Sequence, residues 1–391
     1  MSDLEEGRAS VAPMSASPRT VVISGSGVFT PPDVITNEEL VEAFNAFAEK
    51  ENARHADAIA AGEREPIPLS NVEFIVKASG IERRHVMDKH GVLDPDVMHP
   101  LLRQRDDDEP GIMTEMAVDA ALEAMQQAGR TADQIDAVIC AASNHERAYP
   151  AIAIEVQEAL GIEGFAYDMN VACSSATFAI PNAADMIRSG SADTVLIVNP
   201  EICSGHLEWR DRDCHFIFGD VCTALVVEAK ENASSDDQFE VLSTRLLTQF
   251  SNNIRNNNGF LRRSRPGGLD DRRDMQFMQN GRQVFKQVVP MVSEMIIEHC
   301  ADEGIEPTLL KRLWLHQANK SMNDFIGKKV MGREPTPDEQ PNILQEYANT
   351  SSAGSIIAFS HHHRDLEPGD LAVICSFGAG YSAGNVIVRR V

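Results

Sequence analysis

At 391 residues, 43% apolar and 24% charged, the chain is long enough for two domains or one large doubled fold and has the composition of a soluble globular protein. With 35 basic against 59 acidic residues the formal net charge is -24, which excludes generic attraction to nucleic acid or to an anionic membrane. Seven cysteines without CxxC spacing read as reduced thiols rather than a disulfide framework or zinc site, and no stretch approaches a membrane span, so a cytoplasmic protein is expected.

Residues 1–19 are small and polar and read as a disordered tail; the folded body is expected to start at VVISGSGVF (21–29), a β-branched strand running into a glycine turn. The alanine- and charge-rich stretch between Phe44 and Val72 has helical composition and ends in two prolines, which predicts a helical excursion on the surface. Further on, apolar strands alternate with helical stretches, the pattern of an α/β protein. An internal repeat organises them. AGRTADQIDAVICAASN (128–144) aligns without a gap on EGIEPTLLKRLWLHQAN (303–319), and ADTVLIVNP (192–200) falls over GDLAVICSF (369–377) at nearly the same offset. In each copy a helix leads through a short linker into an apolar strand, which predicts a duplicated unit with halves at 20–235 and 236–391.

Four segments carry chemistry. YDMNVACSSATFAIPNAADM (167–186) reads as a strand, a tight turn and a helix, placing Cys173 at a helix start where the dipole and unpaired N–H groups favour thiolate. Cysteine is more often a small buried apolar residue, and that reading stands for the other six. WLHQAN (314–319) sets His316 just past a strand end, where loops from the two halves are expected to converge, although a lone histidine is usually structural. Asn349 lies in YANTSSAGS, where by itself it reads as a turn or cap residue. FGAG (377–380) is a glycine turn able to present backbone N–H groups. A long loop, Ser251 to Met275, gathers Arg262, Arg263, Arg265, Arg272 and Arg273, either a solvated loop or a seat for an acidic partner. His361, His362 and His363 are consecutive and cannot all converge on one ion, so no metal site is expected.

In order, xxACSS, HQAN, ANTSSA and FGAGYSAG resemble the β-ketoacyl-[acyl-carrier-protein] synthase III family of thiolase-like condensing enzymes. The resemblance runs from about Val21 to Val391 and includes GSGVFTPPDVITNEEL, GIERRHV and IFGDVCTALVV. It implies the five-layered αβαβα thiolase fold, a homodimer, and a triad of Cys173, His316 and Asn349, with an oxyanion hole from the backbone N–H groups of Cys173 and Ala379. Ala379 stands where the family has glycine. The implied reaction is decarboxylative Claisen condensation of an acyl-coenzyme A primer with malonyl-[acyl-carrier protein], in fatty acid biosynthesis. Coenzyme A and phosphopantetheine thioesters are then substrates, and no cofactor is implied. By the same match Phe74 and Arg212 flank the adenine of coenzyme A, Asn319 closes the HQAN motif, and Tyr149 in HERAYPA reaches across the dimer to close the partner's acyl pocket. The arginine expected two positions after HQAN, used for carrier docking, is Ser321, so docking is expected to shift to Arg262, Arg263 and Arg265. The added segment 44–72 tilts the expectation toward a primer longer than acetyl. Two other readings remain: a condensing or acyl-transfer enzyme of specialised metabolism on the same fold, and a non-catalytic carrier-binding partner.

Overall fold

The structure, a computed structural model, describes residues 19–267 and 272–391. The tail expected over 1–19 therefore lies outside the described residues except for Arg19, which is anchored, its guanidinium pairing with Asp193 at 2.6 Å and Glu231 at 2.7 Å.

In chain order the principal elements are β1 (Val21–Phe29), α1 (Asn37–Arg54), α2 (Val72–Ser79), α3 (Ile112–Ala128), β2 (Ala137–Ala141), α4 (Ile152–Leu160), β3 (Phe165–Met169), α5 (Ser175–Ser189), β4 (Thr194–Ile202), β5 (Asp220–Ala229), β6 (Phe239–Thr248), α6 (Gly281–Asp302), β7 (Leu310–Leu315), α7 (Lys320–Met331), α8 (Gly354–His361), β8 (Leu371–Gly378) and β9 (Ser382–Arg390). The strands join in the order β7-β8-β9-β6-β1-β5-β4-β2-β3. Within this run β1, β5 and β4 pair antiparallel and β4, β2 and β3 parallel. From β6 the other way, β6, β9 and β8 pair antiparallel and β8 with β7 parallel. A pattern of two antiparallel pairings and then a parallel one thus occurs twice, the first copy carrying the further parallel strand β3, and the two copies meet where β1 pairs with β6 through Val22–Glu240 and Ile23–Phe239.

The layers follow from which face each strand buries. In β2, Ala137, Ile139 and Ala141 face one core while Val138 and Cys140 face another, so AVICA is apolar throughout because both sides are covered. The first of these cores mixes residues of both copies, with Ala176, Ile180 and Ile187 of α5 and Ile356 and Ile357 of α8 packed between the two halves of the sheet. The helices α3 and α4 cover one outer face and α6 and α7 the other, which completes the five layers αβαβα. Close approach is built into β1: a Cβ at Gly25 would lie 2.2 Å from the Ala124 carbonyl oxygen and one at Gly27 2.1 Å from that of Ala120. The small residues of α3 and the bare backbone of β1 therefore specify each other.

The segment between Phe44 and Val72 begins as expected and ends differently. Its helix starts at Asn37, capped by a Thr36–Glu39 capping box, and Phe44 is buried, its ring stacked on His215 at 4.5 Å. A further short helix ends at Ala60, and an irregular run then leads to α2. The loop 251–275 is largely irregular, with residues 268–271 outside the description. Among the described residues no helix is long and apolar enough to cross a membrane.

Candidate active site

The position of the candidate nucleophile Cys173 is set by a strained turn between β3 and α5. Ala172 holds φ at 48°, and Asn170 fixes the turn by accepting from the Ala172 N–H at 2.9 Å while donating to the Ser143 carbonyl at 2.8 Å. Cys173 follows, one residue before the helix cap. Three donors point at its sulfur: the Ser351 hydroxyl at 3.3 Å and the backbone N–H groups of Ala379 and of Cys173 itself. Burial nevertheless outweighs them and, helped by the Glu201 carboxylate, pushes the thiol up to about 11. The donors expected at the helix start are therefore present, and because the sulfur is only partly buried and opens onto the cavity they act against a partial desolvation. Gly378 belongs to the same construction, since a Cβ there would sit 2.6 Å from the Cys173 Cβ and 3.1 Å from its sulfur.

His316 leaves the end of β7, its backbone N–H donating to the Cys375 carbonyl at 2.7 Å. Burial drives its imidazole down to about 3, so the ring is neutral at physiological pH. Its Nδ1 is buried without a partner. Asn349 is fixed by backbone bonds to Ile217 and Gly219, and its Oδ1 accepts from the Ser351 N–H at 2.9 Å. With that oxygen engaged by an obligate donor, the side-chain NH₂ is the end left to donate into the cavity. Ala348 before it and Ser351 two residues after it both have positive φ, 56° and 52°.

Beneath this loop sits a group the sequence reading missed. Glu201, 1% exposed at the end of β4, accepts from the Ser143 N–H at 2.9 Å and hydroxyl at 2.5 Å, and from the Ser352 N–H at 3.2 Å and its hydroxyl. One carboxyl thereby ties the β2 loop that steadies Asn170 to the loop that carries Asn349. Burial raises it to about 7.

Cys173, His316 and Asn349 open onto one cavity of about 650 Å³. Phe216, Ile217, Phe218, Ile254, Phe277 and Phe377 give it apolar walls, and Arg282 and Lys286 of α6 also line it. Phe74 and Asn319 line it as well; Asn319 is also the cap of α7, accepting from the Met322 N–H at 3.3 Å and donating to the Ala78 carbonyl at 2.6 Å. The Arg212 guanidinium lies 4.0 Å over the Phe74 ring and its Nε donates to the Leu69 carbonyl at 2.8 Å, so the added segment braces this pair. Tyr149 is 84% exposed and does not line the cavity of its own chain. The docking expectation for the arginine loop needs correction: Arg262 is 4% exposed and paired with Asp274, which Arg265 also contacts at 2.8 Å. Of these three only Arg263 and Arg265 present exposed side chains.

A cysteine held under backbone donors, facing a neutral histidine and an asparagine NH₂ across an apolar cavity on this fold, defines a condensing acyltransferase. Residues 167–249 match the family model of 3-oxoacyl-[acyl-carrier-protein] synthase III, and residues 300–390 match the model of its C-terminal part. The chain is 57% identical over 350 residues, 90% of its length and the whole of the relative, to a β-ketodecanoyl-[acyl-carrier-protein] synthase of Pseudomonas aeruginosa. It is 28% identical over 371 residues, 94% of this chain and 98% of the relative, to a β-ketoacyl-[acyl-carrier-protein] synthase III of Acidiphilium cryptum. In fold it matches the 3-oxoacyl-[acyl-carrier-protein] synthase III of Aquifex aeolicus, with a TM-score of 0.73 at 24% identity over 94% of this chain and 99% of that one. The priming β-ketosynthase of the R1128 polyketide pathway gives 0.74 at 20% identity over 95% and 97%. The chain belongs to the β-ketoacyl-[acyl-carrier-protein] synthase III family.

Proposed function

We propose that this enzyme loads a medium-chain acyl group from coenzyme A onto Cys173 and condenses it with malonyl-[acyl-carrier protein], in fatty acid synthesis. The observation that carries the reading is the position of Cys173 on a cavity with aromatic and aliphatic walls, where each added methylene of an acyl chain gains about 0.8 kcal/mol. The similarity to a β-ketodecanoyl synthase supports an eight-carbon primer, since condensation with malonyl and loss of carbon dioxide adds two carbons.

In the first half-reaction the Cys173 sulfur attacks the thioester carbonyl, the developing oxyanion receives the N–H groups of Cys173 and Ala379, and coenzyme A leaves as its thiol. In the second, His316 and Asn349 donate to the malonyl thioester oxygen as carbon dioxide departs and enolate charge gathers there. Neutral His316 suits that task, because it donates a hydrogen bond without requiring a proton to be stored in a buried site. The enolate carbon then attacks the acyl carbonyl and the Cys173 sulfur leaves. Arg282 and Lys286 on α6 supply the positive charge that a phosphopantetheine arm and an acidic carrier require from so acidic a chain. The exposed Tyr149 ring supports a homodimer in which it caps the partner's pocket.

The test is intact-mass measurement after incubation with acetyl-, butyryl-, octanoyl- and dodecanoyl-coenzyme A, in the parent and in Cys173→Ala. The expected outcome is fastest acylation by octanoyl and none in Cys173→Ala. A parent that prefers acetyl removes the medium-chain reading, and acyl mass on folded Cys173→Ala removes the nucleophile.

A further inference from the structure

The residue between Asn349 and Glu201's anchor is unusually placed. Ser351 donates its hydroxyl to the Cys173 sulfur at 3.3 Å, gives its N–H to the Asn349 Oδ1 at 2.9 Å, and meets the His316 ring with its backbone. It is 2% exposed and held at φ 52°, a strained conformation for a serine that persists only because its surroundings enforce it. The enforcement comes from the next residue: Ser352 is clamped by the Glu201 carboxyl through both its N–H and its hydroxyl, and its hydroxyl also reaches the Ala141 carbonyl at 3.2 Å.

We propose that Ser351 is a fourth catalytic residue, whose hydroxyl stabilises the Cys173 sulfur whenever that atom carries negative charge. A thiolate accepts a strong, charge-assisted hydrogen bond, whereas a thioester sulfur is a weak acceptor, so the contact acts on the attacking nucleophile and again on the leaving group of the condensation step. Among the described residues it is also the one side-chain donor to a sulfur whose other donors are the N–H groups of Cys173 and Ala379, the same groups assigned above to the oxyanion. The inference rests on Cys173 being the nucleophile, and not on which acyl donor loads it.

The groups that face the sulfur besides Ser351 are the Glu201 carboxyl and Cys203 from the end of β4 and the neutral His316 from β7. Replacing Ser351 leaves all three in place, so alkylation of Cys173 by iodoacetamide, followed across pH and read at the Cys173 peptide, isolates the hydroxyl. Ser351→Gly is the informative variant because it removes the hydroxyl and relieves the positive φ; Ser351→Ala keeps the strain and serves as its companion. Both should alkylate about 10-fold more slowly below the thiol's titration, with the pH profile displaced upward by about one unit. Octanoyl transfer should lose kcat with little change in KM. A Ser351→Gly protein whose alkylation profile overlays that of the parent overturns the proposal. Because iodoacetamide needs no acyl pocket, failure of the medium-chain reading leaves this result intact.

Discussion

The backbone of Gly378 lies so close to Cys173 that a methyl group in its place would come within 2.6 Å of the cysteine Cβ. Gly378 has no positive φ, so the requirement is purely one of space. Gly378→Ala is expected to cost about 1–3 kcal/mol by overpacking and to displace Cys173 enough to slow acylation by on the order of 100-fold. Thermal unfolding and octanoyl-coenzyme A single-turnover rates measure the two effects, and an unaltered acylation rate would show that the neighbouring strand yields instead.

Arg212 and Phe74 touch at 4.0 Å, which leaves no room for an aromatic ring between them. For adenine to stack in that slot the guanidinium must leave both Phe74 and the Leu69 carbonyl. Arg212→Ala is expected to raise KM for octanoyl-coenzyme A about 10-fold with kcat within about twofold, the pattern of a contact made equally in ground and transition states. Octanoyl-pantetheine, which lacks the nucleotide, should be indifferent to the change. A fall in kcat with both donors would assign Arg212 to the fold of the added segment.

Acid sensitivity is expected from His215. Its Nδ1 bonds the Arg212 carbonyl at 2.9 Å, its Nε2 is buried without a partner, and burial, aided by the nearby Arg84 and Arg212 cations, drives it down to about 4. A histidine with a folded pKa below its unfolded value of about 6.5 lends stability that is complete above that value and is lost as pH falls toward 4. Between pH 7.5 and 5, His215→Phe should therefore lose about 2 kcal/mol less than the parent in urea unfolding. The buried histidines His206 and His316 remain in both proteins and shift in the same direction, so the difference reports His215. Equal losses would mean that His215 takes up its proton without cost.

The arginine loop divides into structural and surface parts. Arg262→Glu sets a carboxylate against Asp274 in a buried position and should destabilise by several kcal/mol, seen as accelerated proteolysis of the loop. Arg263→Glu, on an exposed side chain, should leave stability within about 0.5 kcal/mol and weaken carrier-dependent turnover most at low salt. Salt-independent turnover in Arg263→Glu equal to that of the parent would leave docking to Arg282 and Lys286 on α6.

The amino-acid order by itself determined the class of fold and the segments that meet at the candidate site, because both are written in local patterns. Strands buried on two faces read as continuous apolar runs such as AVICA and LAVIC, and the duplicated pattern of helix, linker and strand announces two copies of one sheet. ACSS, HQAN, NTSSA and FGAG mark the cavity because each lies where a strand or tight turn ends, and the sheet gathers those ends. What the sequence left open depends on contacts between distant segments. Glu201 looked like one more acidic residue among 59, and only folding brings it under both Ser143 and Ser352. Arg262 looked available for docking until Asp274 closed on it. Cys173 looked activated by its helix alone, whereas in the fold partial burial raises its thiol and a serine 178 positions away donates to its sulfur, a balance that no local pattern encodes.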